Sequence, residues 1–152
     1  MPKKIKDTAL ADILFEDLSD FDPKKVRIAK TFNAHLFEVD PISGNSEIHF
    51  KISDDYIHGG HLVQGGIISA MLDFAIAMGA LAQVPSNMSI GTATLNVQFF
   101  RPSVPGEFIS KAMIENHGKR IIFSGATLYD AAGRKIAGAK ATNLIVPIKK
   151  NG

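Results

Sequence analysis

Hydrophobic and polar positions change their spacing along the chain, and each change marks a new element. Apolar side chains in residues 8–18 recur at helical spacing before Pro23, which predicts a short N-terminal helix. Residues 31–40 and 46–53 flank a turn-forming segment, Pro-Ile-Ser-Gly-Asn, and the second of them alternates apolar and polar positions. This pattern predicts a β-hairpin.

Residues 66–83 are apolar on every face and end just before Pro85, which predicts one long buried helix. The stretch from Gly65 to Val84 is also long enough to span a bilayer. Asp73 lies near its middle, where a charge costs about 2.5–3.5 kcal/mol on insertion scales. We therefore expect a helix in a protein core and no membrane partner.

After the helix the period changes to two, which is typical of strands. Polar residues from Thr92 to Gln98 alternate with apolar ones, and further strands are predicted at 107–116, 120–129 and 135–146. A hairpin, a buried helix and an antiparallel meander predict an α+β fold in which the sheet wraps the helix. We expect a helical extension over 1–30 and a single domain over 31–148. Exposed strand edges also predict self-association.

Composition narrows the chemistry. The chain has 152 residues and no cysteine, which excludes disulfides, cysteine nucleophiles and thiolate zinc sites and favours a reducing compartment such as the cytoplasm. We also expect no export signal. The net charge of +2 is too small to indicate nucleic acid binding. Residues 101–152 nevertheless hold 9 basic and 3 acidic residues, which suits either a polyanionic small ligand or a solvated basic surface.

The long helix carries the main candidate chemistry. Burying a carboxylate in an apolar helix costs free energy, so Asp73 must have a hydrogen-bonding or charged partner, be protonated, or be in contact with water. Burial also raises the pKa of a carboxylate toward values that suit a base or nucleophile. A purely structural Asp73 that caps a loop remains an alternative. Gly65 and Gly66 begin the helix, where N–H groups without intrahelical partners can bind an oxyanion, although paired glycines can also simply form a tight turn.

The spacing of these groups has a geometric consequence. Asp73 follows Gly65 by eight residues, or about 12 Å along a helix axis, so one chain cannot direct both at one carbonyl. A shared reaction would require Gly65 from one subunit and Asp73 from another. Gly65, Ser69, Asp73 and Ala77 share one helix face, whose small side chains leave room for a substrate.

Other sites are less well supported. His58 and His61 could ligate a metal, but the flexible glycines between them lack the spacing of established zinc motifs, so we expect no metal. Residues 60–65 have the glycine spacing of a phosphate loop without its Lys-Ser/Thr. The nucleophile motif of serine hydrolases is absent from the sequence.

Three segments carry a resemblance to a known family: QGGIISAMLDFAIAMGA, GTATLNVQFFRPSVPGE and GKRIIFSGATLYDAAGRKIAGAKAT. Over about residues 33–146 the chain resembles hotdog-fold acyl-CoA thioesterases of the PaaI-like type, in the 4-hydroxybenzoyl-CoA thioesterase superfamily. The family pattern has an acidic residue seven positions after the second glycine of its triplet. Gly66 and Asp73 have this spacing, so Gln64-Gly65-Gly66 is the matching triplet.

The resemblance implies roles for individual residues. Asp73 would be the general base or nucleophile, and the Gly65 N–H would polarise the thioester carbonyl. Gln64 replaces the common family histidine; its amide can hold a carbonyl or water but cannot exchange protons. Thr92 or Thr94 would orient water, although ordinary strand threonines are nearly as well supported. The other implied residues are His58, Gly66 and Ser69 for substrate, with Thr94, and Lys119, Arg120 and Arg134 for coenzyme A phosphates.

The resulting expectation is hydrolysis of an acyl-CoA thioester by a homodimer or a dimer of dimers, with no cofactor because coenzyme A is part of the substrate. The main alternative is a non-catalytic acyl-CoA binding module or sensor, which the missing family histidine favours. A structural subunit of a larger assembly is a third possibility.

Overall fold

The computed structural model describes residues 27–148, and the predicted helix at 8–18 lies outside them. A short helix, α1 (Arg27–Thr31), was not predicted and lies at the end of the proposed extension. The remaining elements are β1 (Ala34–Val39), β2 (Ser46–Ile52), a 3-10 turn (Asp54–Tyr56), α2 (Gly65–Leu81), β3 (Met88–Phe99), β4 (Gly106–His117), β5 (Ile121–Asp130) and β6 (Lys135–Pro147).

The six strands form one antiparallel sheet in the order β1-β2-β4-β5-β6-β3. The meander expected after the helix is therefore limited to β4, β5 and β6. β3 does not pair with β4, because α2 carries the chain across the sheet to its far edge, where β3 pairs with β6. β2 takes the place beside β4. Local periodicity identified the strands, but their order depends on this crossover.

The predicted antiparallel sheet around one long buried helix is confirmed. Eight residues of α2 are buried, among them Met71, Leu72 and Phe74. The Phe74 ring meets Phe37 and Phe50 edge to face, at centroid distances of 6.3 and 5.8 Å. Such aromatic pairs add to the apolar burial that holds a helix on a sheet. Among the helices of residues 27–148, none combines the length and hydropathy needed to cross a membrane.

The β1–β2 turn packs closely against the second half of α2. Gly44 has a φ of 74°, which favours glycine, and a β-carbon added at Gly79 would clash with the Gly44 carbonyl oxygen. The buried Ser46 hydroxyl donates to the Ala75 carbonyl over 2.6 Å. The helix position along the sheet is thus set by a backbone-to-backbone approach.

One edge of the sheet is β3, a strand of 12 residues that pairs only with β6 among the described strands. Its register against β6 shifts between Thr92 and Thr94, so Ala93 is an extra residue. Thr94 pairs with Thr142, whereas Thr92 pairs with the fully buried Asn143. Thr142 and Asn143 are neighbours on β6, so their side chains and those of their partners point to opposite faces: Thr92 faces α2 and Thr94 faces the outer side of the sheet.

Candidate active site

Asp73 lies on the one face of α2 that the sheet leaves partly open. Gly65, Ser69, Asp73 and Ala77 are all partly exposed, whereas their neighbours on the other faces are largely buried. The Thr92 hydroxyl donates to Asp73 Oδ1 over 2.8 Å. The carboxylate is therefore anchored through one oxygen and remains partly exposed.

Thr92 is the threonine that reaches Asp73. The sequence left open whether Thr92 or Thr94 is the hydroxyl that orients water, and strict alternation along the strand would put both on one face. The irregularity at Ala93 separates them and turns Thr94 to the outer face. This position gives no support to the substrate-binding role expected for Thr94.

The start of α2 offers one free backbone donor. Gln64 is the N-cap, and its Oε1 accepts from the Gly66 N–H over 2.8 Å. The Gln64 carbonyl accepts from the N–H groups of Ile67 and Ile68. Within residues 27–148 the Gly65 N–H has no acceptor, as expected at the first helical position.

This capping changes what Gln64 and Gly66 can do for a substrate. The N–H of Gly66, a predicted substrate-binding residue, is already engaged. Gln64 was expected to orient the substrate carbonyl, and its Oε1 is used by the helix while its Nε2 amide remains available to donate. Ser69 is also engaged locally, because its hydroxyl donates to the Gly65 carbonyl over 3.0 Å.

The two main site groups lie beside different parts of β3. A β-carbon at Gly65 would contact the Phe99 ring at 3.4 Å, near the end of the strand. Asp73 contacts Thr92, which lies seven residues before Phe99 on the same strand. Within one subunit they are separated by eight helical residues, or about 12 Å along the axis. One chain therefore does not bring the Gly65 N–H and the Asp73 carboxylate to the same atom.

A shallow cleft of about 230 Å³ opens beside Gly65. Its walls include His58, Phe99 and Arg101, of which the sequence had indicated only His58. His58 Nδ1 accepts from the Gly60 N–H over 2.9 Å, so in the neutral ring Nε2 carries the proton. Phe99 and Arg101 were missed because nothing in their local sequence shows that β3 ends against the start of α2.

A second cavity, of about 800 Å³, is on the outer side of the sheet. Lys111, Glu115 and Tyr129 contribute to its walls, and none of the predicted site residues does. Its location separates it from Asp73 and Gly65 by the thickness of the sheet.

The three predicted coenzyme A contacts do not form one cluster within a subunit. Lys119 and Arg120 are exposed in the β4–β5 turn, and Arg134 is in the β5–β6 turn. The ten residues of β5 separate these turns by about 33 Å. Arg134 Nε also donates to Asp130 Oδ2 over 2.8 Å.

Asp130 is the centre of the β5–β6 turn. Burial acts to raise its pKa, but hydrogen bonds from the backbone and side chain of Arg134 and from the Ala132 N–H outweigh this and hold the pKa below its usual value. Arg134 therefore has a local structural role whether or not it also meets a phosphate.

The histidine-rich approach to α2 was the alternative metal site. His49 contacts Glu47 at 2.9 Å, and His58 bonds within its own turn. The structure of residues 27–148 shows no group of three or more histidine, cysteine, aspartate or glutamate side chains that could hold a metal ion.

Comparisons with known proteins agree with this architecture. Residues 57–137 match the Thioesterase superfamily. A phenylacetic acid degradation-related protein of Ralstonia eutropha JMP134 is 30% identical with a TM-score of 0.74, over 78% of this chain and 89% of that one. The fold is also similar to that of the E. coli PaaI protein, at 15% identity and a TM-score of 0.69 over 91% of each chain.

A more distant sequence relative is the Saccharolobus solfataricus protein SSO1253, which is named as a candidate esterase. It is 26% identical over 101 residues, which are 65% of this chain and 65% of that protein. The family match begins directly after the 3-10 turn and covers the whole of α2, β3, β4 and β5 and the start of β6. The chain therefore belongs to the thioesterase superfamily and has its hotdog fold.

Proposed function

We propose that this protein hydrolyses acyl-CoA thioesters at a site shared by two subunits. Membership of the superfamily supports thioester hydrolysis in general. The observation that carries the proposal is the Asp73 carboxylate, held by Thr92 on the partly open face of α2. A hydrogen-bonded and partly exposed carboxylate is suited to act as a base or nucleophile.

The edge of β3 that no other described strand covers provides a means of sharing the site. An edge strand of this length presents unpaired backbone groups that a second copy can pair with. Antiparallel pairing of β3 with its copy about a two-fold axis near Asn96 exchanges the two ends of the strand. Phe99 of the partner subunit then approaches Thr92, and Gly65 of the partner subunit approaches Asp73.

In this arrangement each group has a defined task. The thioester carbonyl accepts from the N–H of the partner subunit's Gly65, which stabilises the oxyanion as it forms. Asp73 either takes a proton from water, which attacks the carbonyl carbon, or attacks that carbon itself to give an anhydride that water then hydrolyses. In both routes the carbon–sulfur bond breaks, coenzyme A leaves as its thiolate and is protonated to the thiol, and the acyl group is released as a carboxylic acid.

The same exchange of ends bears on coenzyme A. Lys119 and Arg120 lie at the Thr92 end of the sheet, and Arg134 lies at the Phe99 end. In the proposed dimer, Arg134 of the partner subunit comes to the same end as Lys119 and Arg120. We propose these three as contacts for the phosphates, in a cytoplasmic dimer or dimer of dimers.

The first test measures thiol release from short, medium, long and aromatic acyl-CoAs, comparing the native protein with Asp73→Asn. Asparagine is nearly isosteric but cannot act as a carboxylate base. We expect kcat to fall by about 10²–10⁴-fold with acyl-CoA binding retained, which is the usual contribution of a general base. A fully active Asp73→Asn protein would overturn the proposal.

A complementation experiment tests the shared site. Asp73→Asn and Gly65→Pro subunits are each inactive as homodimers, but a mixed dimer contains one intact site. Random assortment would restore about a quarter of native activity. Co-expression with two different affinity tags allows the mixed dimer to be purified. A mixed dimer without activity, formed from two folded variants, would contradict a shared site.

Gln64 is the observation that favours the alternative, an acyl-CoA binding module. It replaces the family histidine, and half of its amide is committed to the helix cap. Tight acyl-CoA binding without thiol release from any of the four substrate classes would establish that function in place of hydrolysis.

A further inference from the structure

Asn143 is a buried polar residue behind the site that the sequence did not single out. It lies in β6, is fully buried, and pairs in register with Ile122 on one side and Thr92 on the other. Its Nδ2 donates to Thr92 Oγ1 over 3.2 Å, and Thr92 in turn donates to Asp73 over 2.8 Å. Three side chains on β6, β3 and α2 thus form one chain of hydrogen bonds that ends on the carboxylate.

The direction of this chain follows from the number of hydrogens available. A threonine hydroxyl has one hydrogen to donate, and an ionised carboxylate can only accept. With the Asn143 amide group donating to Thr92 Oγ1, the hydroxyl hydrogen is directed at Asp73 Oδ1. The opposite amide orientation would face the Thr92 oxygen with a second acceptor and leave one of its two contacts without a hydrogen.

The other half of the amide has no matching function in the core. Asn143 Oδ1 is buried and has no partner among the described residues. A buried polar atom without a hydrogen bond costs stability, so an apolar side chain of the same shape would suit the core equally well or better. Packing therefore does not account for an asparagine at this position, whereas its contact with Thr92 does.

We propose that Asn143 is a positioning residue for Asp73. It acts through Thr92, holding the hydroxyl hydrogen toward Asp73 Oδ1 and so fixing the orientation of the carboxylate. Oδ1 is then occupied, and Oδ2 is the atom left to meet water or the substrate carbonyl. This inference rests on the proposed function, because it concerns how the same carboxylate is presented.

The test compares Asn143→Leu, which is close in shape and cannot donate, with Ser110→Ala as a matched control. Ser110 is also fully buried, and its hydroxyl has no partner within residues 27–148, but it lies on β4, which carries none of the three hydrogen-bonded side chains. We expect Asn143→Leu to keep or raise the melting temperature and KM to stay near its native value, while kcat falls roughly 10–100-fold. Ser110→Ala should keep its kcat.

A double-mutant cycle with Thr92→Val separates positioning from general disturbance of the core. If Asn143 acts through Thr92, the double variant loses no more activity than Thr92→Val alone, and Thr92→Ser, which keeps the hydroxyl, recovers most of the activity. Fully additive losses, or an Asn143→Leu protein with native kcat, would overturn the inference. If leucine does not fit, Asn143→Ala removes the same donor in a smaller side chain and is measured in the same way.

These outcomes are distinct from a failure of the proposed function. If Asp73→Asn abolishes turnover while Asn143→Leu does not change kcat, the positioning role alone is wrong. If the native protein releases no thiol, or if Asp73→Asn keeps native turnover, the hydrolase proposal is wrong, and the positioning role is wrong with it.

Discussion

Replacing Gly65 with proline should remove one hydrogen-bond donor from the site and disturb little else. Gly65 is the first residue of α2, where its N–H has no helical partner and where proline is favoured. Gln64 has a φ of −64° and a ψ of 136°, the extended conformation that a residue before proline requires. A β-carbon at Gly65 would meet the Phe99 ring at 3.4 Å, an ordinary contact distance. The helix should therefore form normally in the variant.

In the proposed mechanism the lost donor faces the developing oxyanion, so the effect on catalysis should be large. Loss of one such donor costs about 2.7–4 kcal/mol of transition-state stabilisation, or about 10²–10³-fold in kcat. Stopped or continuous thiol-release assays on the preferred acyl-CoA would give kcat and KM separately, and thermal unfolding would report the fold.

Gly65→Ala is the matched control, since it adds the same β-carbon but keeps the N–H. We expect it to retain most of the native kcat. The reasoning would be refuted if folded Gly65→Pro kept its kcat within about twofold of native, or if alanine were as damaging as proline.

Two further predictions concern stability. Gly79→Ala should lower the free energy of unfolding by about 1–2 kcal/mol, because the clash with the Gly44 carbonyl costs more than the gain of about 1 kcal/mol in helix propensity. The measurement is a thermal melt at fixed protein concentration, with Gly59→Ala as the control because a β-carbon there would have nothing within 4 Å. A Gly79→Ala protein more stable than the native one would contradict the packing described. Asp130 has a lowered pKa, so its stabilising contribution is complete above the ordinary value of 3.8 and is lost as pH falls below it. Asp130→Asn should lose less stability than the native protein over that acid range, and parallel melting curves would count against this.

The sequence predicted elements whose signal is local. Residues 66–83 were identified as a buried helix from their length and apolar composition, and the structure has a helix at Gly65–Leu81. The strands also matched, because period-two alternation is readable within a single segment. Strand order was less accessible: β3 lies beside β6, and this pairing joins residues about 50 positions apart. Short-range patterns contain no information on such long-range pairing.

The site residues also differ in whether a local sequence signal identifies them. Asp73 could be singled out because one carboxylate in an apolar helix is conspicuous in any sequence. Asn143 could not, because an asparagine in an alternating strand looks like a surface residue until the strand is paired. The sequence offered Lys119, Arg120 and Arg134 as candidates for coenzyme A phosphates without indicating how far apart they lie. In one subunit a ten-residue strand separates the two turns that hold them.

Because Ala93 is an extra residue, β3 can keep a regular register with β6 and still turn Thr92 inward, which strict alternation of side chains would not allow. The segment from Thr94 to Phe99 keeps a regular register with β6 and an uninterrupted outer backbone edge. Ahead of the bulge the facing of the side chains is reset, so that Thr92 can turn inward without altering that edge. The backbone edge proposed for pairing and the hydroxyl proposed for the site can therefore vary independently during evolution, although only Ala93 separates them in the chain.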